Sequence, residues 1–421
     1  MPASETAVVS IVSVPTTRGR CLVLMVVQNT FVSDSRVLRV AESIASRGIP
    51  VRLLALSGPG LPERERVAGF EVTRLRLQSR SLSGKLSIPL KVGEYLARIF
   101  HACVRSGARV YHVHDPLPLA PAIVASWFTR AKIVYDVHEL HFAMAHVGRL
   151  HNLLTRIYES VMVRGADRVI MSDGESRTAL FRKAHGYTAP IDYVYNCPSP
   201  IAAGTEPKDL RAALHIPAGS PVVIFSGNVG PLKALDRIVG GISKWPGNAH
   251  FVMLGRPAEG AIDWLRGIAT KNDVADRIHF HGPVPPHDVV PWLMSADIAV
   301  TVVENVGASY FNSAPTKMFE AIMARLPQVA SAFPEITRVV RENGVGPVGE
   351  LVDPANSDAI GGAIAALLTN SKLRGEYARN ADCLARSRFN WAIEEAKLFG
   401  VYDAVAAGLL PPRRVEDRDF H

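Results

Sequence analysis

A chain of 421 residues that is 48% hydrophobic and 20% charged has the composition of a globular protein with a substantial core, which excludes a disordered or fibrous chain. That length exceeds what one core usually organises, so two domains of roughly 200 residues are expected, with a ligand cleft between them. A formal charge of +8 favours a polyanionic partner, whether nucleic acid, an anionic membrane surface or a phosphorylated substrate, and does not choose among them.

Residues 1–20 read as an N-terminal extension without the basic start and long apolar run of a signal peptide. From Cys21 onward, β-branched runs alternate with helical patterns: CLVLMVV, SRVLRVAESIASRG, VRLLAL. The alternation continues through VYHV (110–113), an apolar helix from about Pro116, KIVYDV (132–137), a helix near 150–163 and RVIMS (168–172). This half, 21–197, reads as a Rossmann-like domain with a parallel sheet and helices on both faces. The longest apolar stretch, Leu117 to Phe128, contains two prolines and is too short to span a bilayer, so any membrane contact is expected to be peripheral.

After DYVYN (192–196), the Pro-, Ser- and Gly-rich stretch CPSPIAAGTEPKD suits a linker and places a boundary near Pro198. A second series follows: PVVIFSG, HFVMLG, RIHFHG, DIAVTVV, PQVAS and GELV. Residues 198–388 therefore read as a second Rossmann-like domain, and the chain beyond Asp358 reads as helical. Residues 389–407 form a last helix and 408–421 a frayed tail. Cys21, Cys103, Cys197 and Cys383 show neither CxxC nor Cys/His spacing, which argues against a disulfide framework or zinc site and points to a reducing cytoplasm.

The segment NSAPTKMFEAIMARLPQVAS (312–331) feeds a polar loop into a helix at the carboxyl end of DIAVTVV, with Pro315 in its first turn. That edge of an open α/β sheet binds ligands, and exposed helix N–H groups attract phosphate, so a diphosphate is expected at Asn312 to Lys317, Ser313 included. An equally good local reading is a helix capped by Ser313 or Thr316, with Lys317 solvated and Glu320 in a surface ion pair. In FSGNVGPLKALDRIV (225–239), strand, Gly-bearing turn and helix let backbone approach a ligand at Gly227. VYHVHDPLP and VYDVHELH place His and acidic residues directly after strands. There His112 reads as a satisfied strand residue, and Asp115, before Pro116, as a turn starter or an acceptor-orienting group.

The 312–331 segment resembles the signature of glycosyltransferase family 4, in which two Glu eight residues apart precede an Ala/Gly-Leu-Pro-Val-Val-Ala-Ser strand. Glu320 matches the second Glu and Leu326 to Ser331 the strand; Asn312 replaces the first Glu. The resemblance, which covers about 21–407, implies a GT-B fold: two Rossmann-like domains with parallel sheets facing an interdomain cleft, and a C-terminal helix crossing back to the first. It also implies that Glu320 bonds the donor ribose, and that Asn312 stands where a Glu meets the transferred sugar. Lys233 falls at the family's diphosphate-binding Lys, while Asn228 replaces the expected Arg. His138, two residues after Asp136, matches a His facing the transferred sugar, and Arg36 and Asp136 fall on the acceptor side. In the family's first loop, Ser33 and Asp34 are the other polar positions, and either is also a helix cap.

What this implies is retaining, metal-independent transfer of a sugar from a nucleotide-diphosphate donor to an acceptor the sequence does not identify. No resident cofactor, metal or nucleic acid is expected; no Asp-x-Asp pair or ligand cluster is evident near a strand end. A GT-B-like nucleotide-sugar epimerase and an inactive nucleotide-sugar-binding subunit are the alternatives. Residues 84–107, with Lys85, Lys91, Arg98 and Arg105 among apolar residues, read as an ordinary core-facing helix or as a helix on an anionic membrane.

Overall fold

The computed structural model describes residues 23–32, 34–84, 87–144 and 147–407. The expectations for the extension 1–20, Cys21, Ser33, Lys85 and the tail 408–421 lie outside these residues. By contacts the chain divides into two units: residues up to 172, 178–194 and from 395 onward, and residues 173–177 with 195–394.

The first unit carries an eight-stranded sheet of order β3-β4-β2-β1-β5-β6-β7-β8. Its strands are β1 (Val23–Val26), β2 (Val51–Leu56), β3 (Arg64–Val67), β4 (Phe70–Leu75), β5 (Val110–His114), β6 (Lys132–Val137), β7 (Arg168–Met171) and β8 (Ile191–Tyr193). The central strands β1 and β5 are buried at every residue, which explains why β1 reads as an unbroken apolar run, while β5 carries His112 and His114 among its apolar residues. The sheet is not wholly parallel, as the sequence suggested: β3 runs antiparallel to β4 at the edge. Ala68 and Gly69, with φ of 45° and 89°, make the two-residue turn that joins them, a backbone geometry suited to a tight hairpin. Arg-Glu-Arg-Val on an exposed edge has no apolar signal to betray it.

Helices α1 (Ser35–Ser46), α2 (Ile88–Ser106), α3 (Leu119–Thr129), α4 (Arg149–Met162) and α5 (Glu175–His185) connect these strands. Asp34 caps α1 by accepting from the Val37 N–H at 3.1 Å. α2 ends on Gly107 in the left-handed conformation and buries Tyr95, Ile99 and Cys103, so it is a core-facing helix.

The second unit is doubly wound around a six-stranded parallel sheet, β11-β10-β9-β12-β13-β14. Its strands are β9 (Val222–Ser226), β10 (His250–Leu254), β11 (Ile278–His281), β12 (Ile298–Thr301), β13 (Gln328–Ser331) and β14 (Gly349–Val352). The helices are α6 (Leu210–Ala213), α7 (Leu235–Gly240), α8 (Ala261–Lys271), α9 (Val289–Leu293), α10 (Ala308–Phe311), α11 (Thr316–Met323), α12 (Pro334–Val340), α13 (Ser357–Thr369) and α14 (Ser371–Ser387). Alternate residues of β9 serve two cores: Val222 and Ile224 join Met318 and Phe319, while Val223 and Phe225 join Leu235 and Ile238. The last helix, α15 (Trp391–Val405), begins in the second unit, and its residues from Glu395 onward belong to the first.

In both sheets the strand order reverses beside the first strand, between β1 and β5 and between β9 and β12. Such reversals open a crevice at the carboxyl ends of the strands. Among the described residues, no helix is long and apolar enough to cross a membrane.

Candidate active site

In the second unit the crevice is built by the turn after β9 and the start of α11. Gly227 has φ 121°, a conformation only glycine adopts without strain. Its N–H donates to the Leu254 carbonyl at 2.9 Å, and a Cβ built on the neighbouring Gly255 would meet the Gly227 carbonyl oxygen at 2.0 Å. The turns after β9 and β10 thus touch backbone to backbone.

Leu232 and Ala234 also have positive φ, 68° and 52°, and they bend the chain so that Lys233 precedes α7. Glu304, after β12, holds this turn: it accepts from the Ala234 N–H at 3.3 Å and from Arg237 at 2.7 Å. The Lys233 ammonium lies 5.3 Å from the Tyr310 ring centroid, within cation–π range.

Helix α11 brings Lys317 and Glu320 to the same place. Ser226, the last residue of β9, donates through Oγ to Glu320 at 3.1 Å, and the Lys317 Nζ lies 4.0 Å over the Phe225 ring. Burial, and then the positive charge of Lys233, push the Lys317 ammonium down to about 7, against the pull of Glu320. No side chain caps α11. The capping roles open to Ser313 and Thr316 are not realised: Ser313 donates to the Tyr310 carbonyl at 2.8 Å and Thr316 accepts from Asn196 at 2.9 Å.

Asn312 closes α10 and turns its amide back onto the Ala308 carbonyl at 2.8 Å. The loop carrying it is held from far away in sequence, because Asp173 accepts the Ala314 N–H at 2.6 Å and Arg177 donates to the Ser309 carbonyl at 3.1 Å. Asn228 is exposed beside Gly227.

In the first unit the crevice holds a buried polar cluster. Arg36 donates to both oxygens of Asp136, at 3.1 and 2.7 Å, and to the Val194 carbonyl at 2.7 Å. Burial acts most strongly on the Asp136 carboxyl and would raise it, but the charge of Arg36 together with His138, His112 and His114 holds the group well below the usual range. His112 is fully buried; its Nδ1 lies 2.6 Å from the Tyr402 hydroxyl and its ring stacks on His114 at 4.4 Å. His114 Nδ1 lies 2.8 Å from His138 Nε2, which is also 3.3 Å from Asp136. Burial lowers both His112 and His114, so these rings are neutral at pH 7. Burial would lower His138 too, but Asp136 raises it by more, which makes His138 the natural donor to His114.

Asp115 sits at φ 71°, a costly conformation for a non-glycine residue, and its carboxylate is 3.0 Å from His141. Burial raises that carboxyl and the His141 contact offsets it, with a net lowering.

One expectation needs correcting. His112, His114 and Asp136 carry donor atoms within 4.8 Å of one another, a group able to hold a metal ion, so a ligand-type cluster does stand at strand ends. Spacing along the sequence missed it because the three residues come from β5 and β6. The Nε2 atoms of both rings have no hydrogen-bond partner among the described residues, but with His138 donating to His114 Nδ1 the neutral His114 ring carries its proton on Nε2, where it offers no lone pair to a metal. The carboxylate already serves Arg36 through both oxygens, and that guanidinium opposes a second cation.

The sequence-named residues therefore fall into two groups: Gly227, Asn228, Lys233, Asn312, Ser313, Lys317 and Glu320 in the second unit, and Arg36, Asp115, Asp136 and His138 in the first. Sequence reasoning missed Glu304, Tyr310, Asp173 and Tyr402. Only Glu304, an acid three residues after a strand, carried a usable signal.

Two doubly wound units, each with polar side chains at its switch point, put this chain in the GT-B class of transferases. Residues 33–197 match the family model described as glycosyl transferase 4-like domain, and residues 207–382 match glycosyl transferases group 1. The chain belongs to the family 4-like glycosyltransferases and is a glycosyltransferase. It is 26% identical over 391 residues to the phosphatidyl-myo-inositol mannosyltransferase of Mycobacterium leprae, covering 89% of this chain and 93% of that protein. It is 29% identical over 262 residues to the D-inositol 3-phosphate glycosyltransferase of Xylanimonas cellulosilytica, a match covering 58% of this chain and only 59% of that protein. Among solved structures, sucrose-phosphate synthase from Thermosynechococcus elongatus has a TM-score of 0.73 at 17% identity, covering 92% of this chain and 100% of that one. Anabaena HepE in complex with UDP-glucose has a TM-score of 0.69 at 17% identity, covering 91% and 99%.

Proposed function

We propose that this glycosyltransferase takes its sugar from a nucleoside-diphosphate donor held in the second unit. It passes the sugar, with retention of configuration and without a divalent cation, to an acceptor engaged by the first. The observation that carries this reading is the pairing of Lys233 with Lys317 near Gly227 and the uncapped start of α11. Two ammonium groups close enough to repel are stabilised by a diphosphate, and helix N–H groups add to that attraction. HepE was solved with UDP-glucose, a donor of this chemical type. Glu320 takes the ribose hydroxyls.

As the bond from C1 to the diphosphate oxygen breaks, the acceptor hydroxyl forms its bond to C1 on the same face. The departing phosphate oxygen takes the hydroxyl proton, so no protein base is needed. Lys233 meets the charge that grows on the leaving group, while His138 and Asp115 orient the sugars. A thermal-shift screen of UDP, GDP, ADP and TDP tests the donor assignment: a ligand at a hundredfold its Kd adds about 2.7 kcal/mol of stability. No stabilisation by any of them overturns it. Turnover abolished by EDTA and restored by Mg2+ overturns metal independence, and conversion of donor to an epimer without acceptor favours the epimerase.

The chain is further proposed to work in the cytoplasm, at the inner face of a membrane, through α4 rather than α2. Leu150, Leu153, Leu154, Ile157 and Val161 line α4 and are all exposed, whereas its one fully buried side chain is Glu159. Trp127 and Phe128, 73% and 71% exposed, end the adjacent α3. Exposed Arg130, Arg149, Arg156 and Arg164 border these side chains, so the charge fits an anionic bilayer. Sedimentation with phosphatidylglycerol-containing vesicles, lost in Leu153→Glu/Ile157→Glu, is expected. Equal binding to phosphatidylcholine alone, or a dimer dissociated by the same variant, overturns it.

A further inference from the structure

In the second unit, the connection between β12 and α11 holds Lys233 at both its backbone and its ammonium. We infer that Tyr310, on that connection, is a positioning residue whose ring seats the Lys233 ammonium where the donor diphosphate is to lie, an inference that rests on the transferase reading above.

The backbone is fixed by the turn after β9. Leu232 and Ala234 flank Lys233 with positive φ, and Glu304 grips them both. Its N–H donates to the Leu232 carbonyl at 3.4 Å, and its carboxylate accepts from the Ala234 N–H at 3.3 Å. Arg237 donates to the same carboxylate oxygen at 2.7 Å, which balances its charge within the turn. These bonds set where the Lys233 backbone stands. They leave its four-carbon side chain many rotamers, and an ammonium is a point charge that imposes no direction of its own.

Tyr310 supplies that direction. The Lys233 Nζ lies 5.3 Å from its ring centroid, where the negative face of an aromatic ring attracts a cation. The ring is itself held through its neighbours on α10. The Ser309 carbonyl accepts from Arg177 at 3.1 Å, and the Phe311 ring packs on Phe333 with centroids 4.8 Å apart. Lys317 stands in the same relation to Phe225, its Nζ 4.0 Å over that ring. Two ammonium groups that repel each other are thus each drawn to an aromatic face. Packing in the core accounts for Phe225, which is fully buried on β9. Tyr310 is only half-buried, and its hydroxyl makes no hydrogen bond to a described residue, so neither the core nor a polar network explains it. Its contact with Lys233 does.

Calorimetry on the full chain tests this, with whichever of UDP, GDP, ADP and TDP stabilises the wild type most as the probe. At pH 6, where Lys317 is mostly charged, Tyr310→Leu is expected to weaken binding about fivefold. Tyr310→Phe keeps the ring and is expected to stay within twofold of wild type. In the Lys233→Ala background, Tyr310→Leu is expected to add less than twofold, because a residue that acts through the lysine then has nothing to position. The pH profile is a readout that a merely structural role would not move. The charged groups acting on Lys317 are Lys233 and, on its own helix, Glu320. Releasing Lys233 removes part of the repulsion, so in Tyr310→Leu the fall of affinity with rising pH should begin at a higher pH than in wild type, and in Tyr310→Phe at the same pH. Unchanged affinity in Tyr310→Leu, a Tyr310→Phe variant as weak as Tyr310→Leu, an equal loss with and without Lys233, or an unmoved pH profile overturns the positioning role. Absence of nucleoside-diphosphate binding in the wild-type chain overturns the transferase reading instead.

Discussion

In the first unit the Asp136 carboxylate is paired with Arg36 inside the protein, beside His112, His114 and His138, whereas in the second unit Lys233 and Lys317 are held near enough to repel. Both groups stand at the reversal of a parallel sheet, so topology alone does not distinguish them. Their charge balance does. A buried cluster whose carboxylate already has its guanidinium fixes the shape of a strand edge. A half-buried pair of cations stores an attraction that an anionic ligand releases.

Removing one partner from each group separates the two roles, and the largest effect is expected in the first unit. Arg36→Met leaves Asp136 charged and buried without its guanidinium, which costs about 3–5 kcal/mol. Chemical denaturation measures this as a lower midpoint with an unchanged slope. The pair Arg36→Met/Asp136→Leu should recover much of the loss. If the single variant is as stable as wild type, the cluster is not the scaffold argued here.

Lys233→Ala is the counterpart in the second unit. It should unfold like wild type yet lose turnover by about 10² at saturating donor, the scale of one preorganised electrostatic group lost from a transition state. Asn228→Ala should cost less, because an amide offers a hydrogen bond without a charge. Wild-type turnover in folded Lys233→Ala makes this lysine a solvated residue and moves the diphosphate elsewhere.

Glu320→Gln should weaken nucleoside-diphosphate binding by about tenfold, because the neutral amide gives up charge-assisted bonds to the ribose. Calorimetry with the nucleotide chosen by the thermal-shift screen reads it directly. Unchanged affinity takes the ribose role away from Glu320.

How far the sequence reveals this contrast depends on the range of the contacts. Strands such as Val222–Ser226 are legible because both faces are buried and every residue is apolar or small. The β3–β4 hairpin is not, since exposed Arg-Glu-Arg-Val carries no periodic signal. Lys233, Lys317 and Glu320 were found by a turn, a helix start and a family resemblance, all local features. The clamps on them were not: Asp173 reaches Ala314 across 141 residues and Glu304 reaches Arg237 across 67. The orientation of Asn312, folded back onto α10, is likewise set by a short helix that no pattern announces. Strand-end histidines were visible singly, but their assembly with Asp136 and Tyr402 needed the register of β5 against β6.

The smallest effect should be the most specific. Lys317 has its ammonium lowered to about 7 by burial and by Lys233, so near pH 8 most of the free enzyme carries it neutral. A bound diphosphate restores the partner this ammonium lacks and raises its pKa, and the complex therefore takes up a proton that the free enzyme had released. Linkage fixes the sign: affinity is highest below about pH 7 and falls as pH rises above it, by at most tenfold per unit until the pKa of the complex is reached. The secondary ionisation of a phosphate lies near pH 6, so between pH 7.5 and 9 the ligand contributes little of its own titration. Calorimetry in two buffers of different ionisation enthalpy should show proton uptake in that window. Lys317→Arg, which stays charged, should abolish both the uptake and the slope while still binding the nucleotide. Proton uptake that persists in Lys317→Arg assigns the titration to another group and removes Lys317 from the diphosphate site.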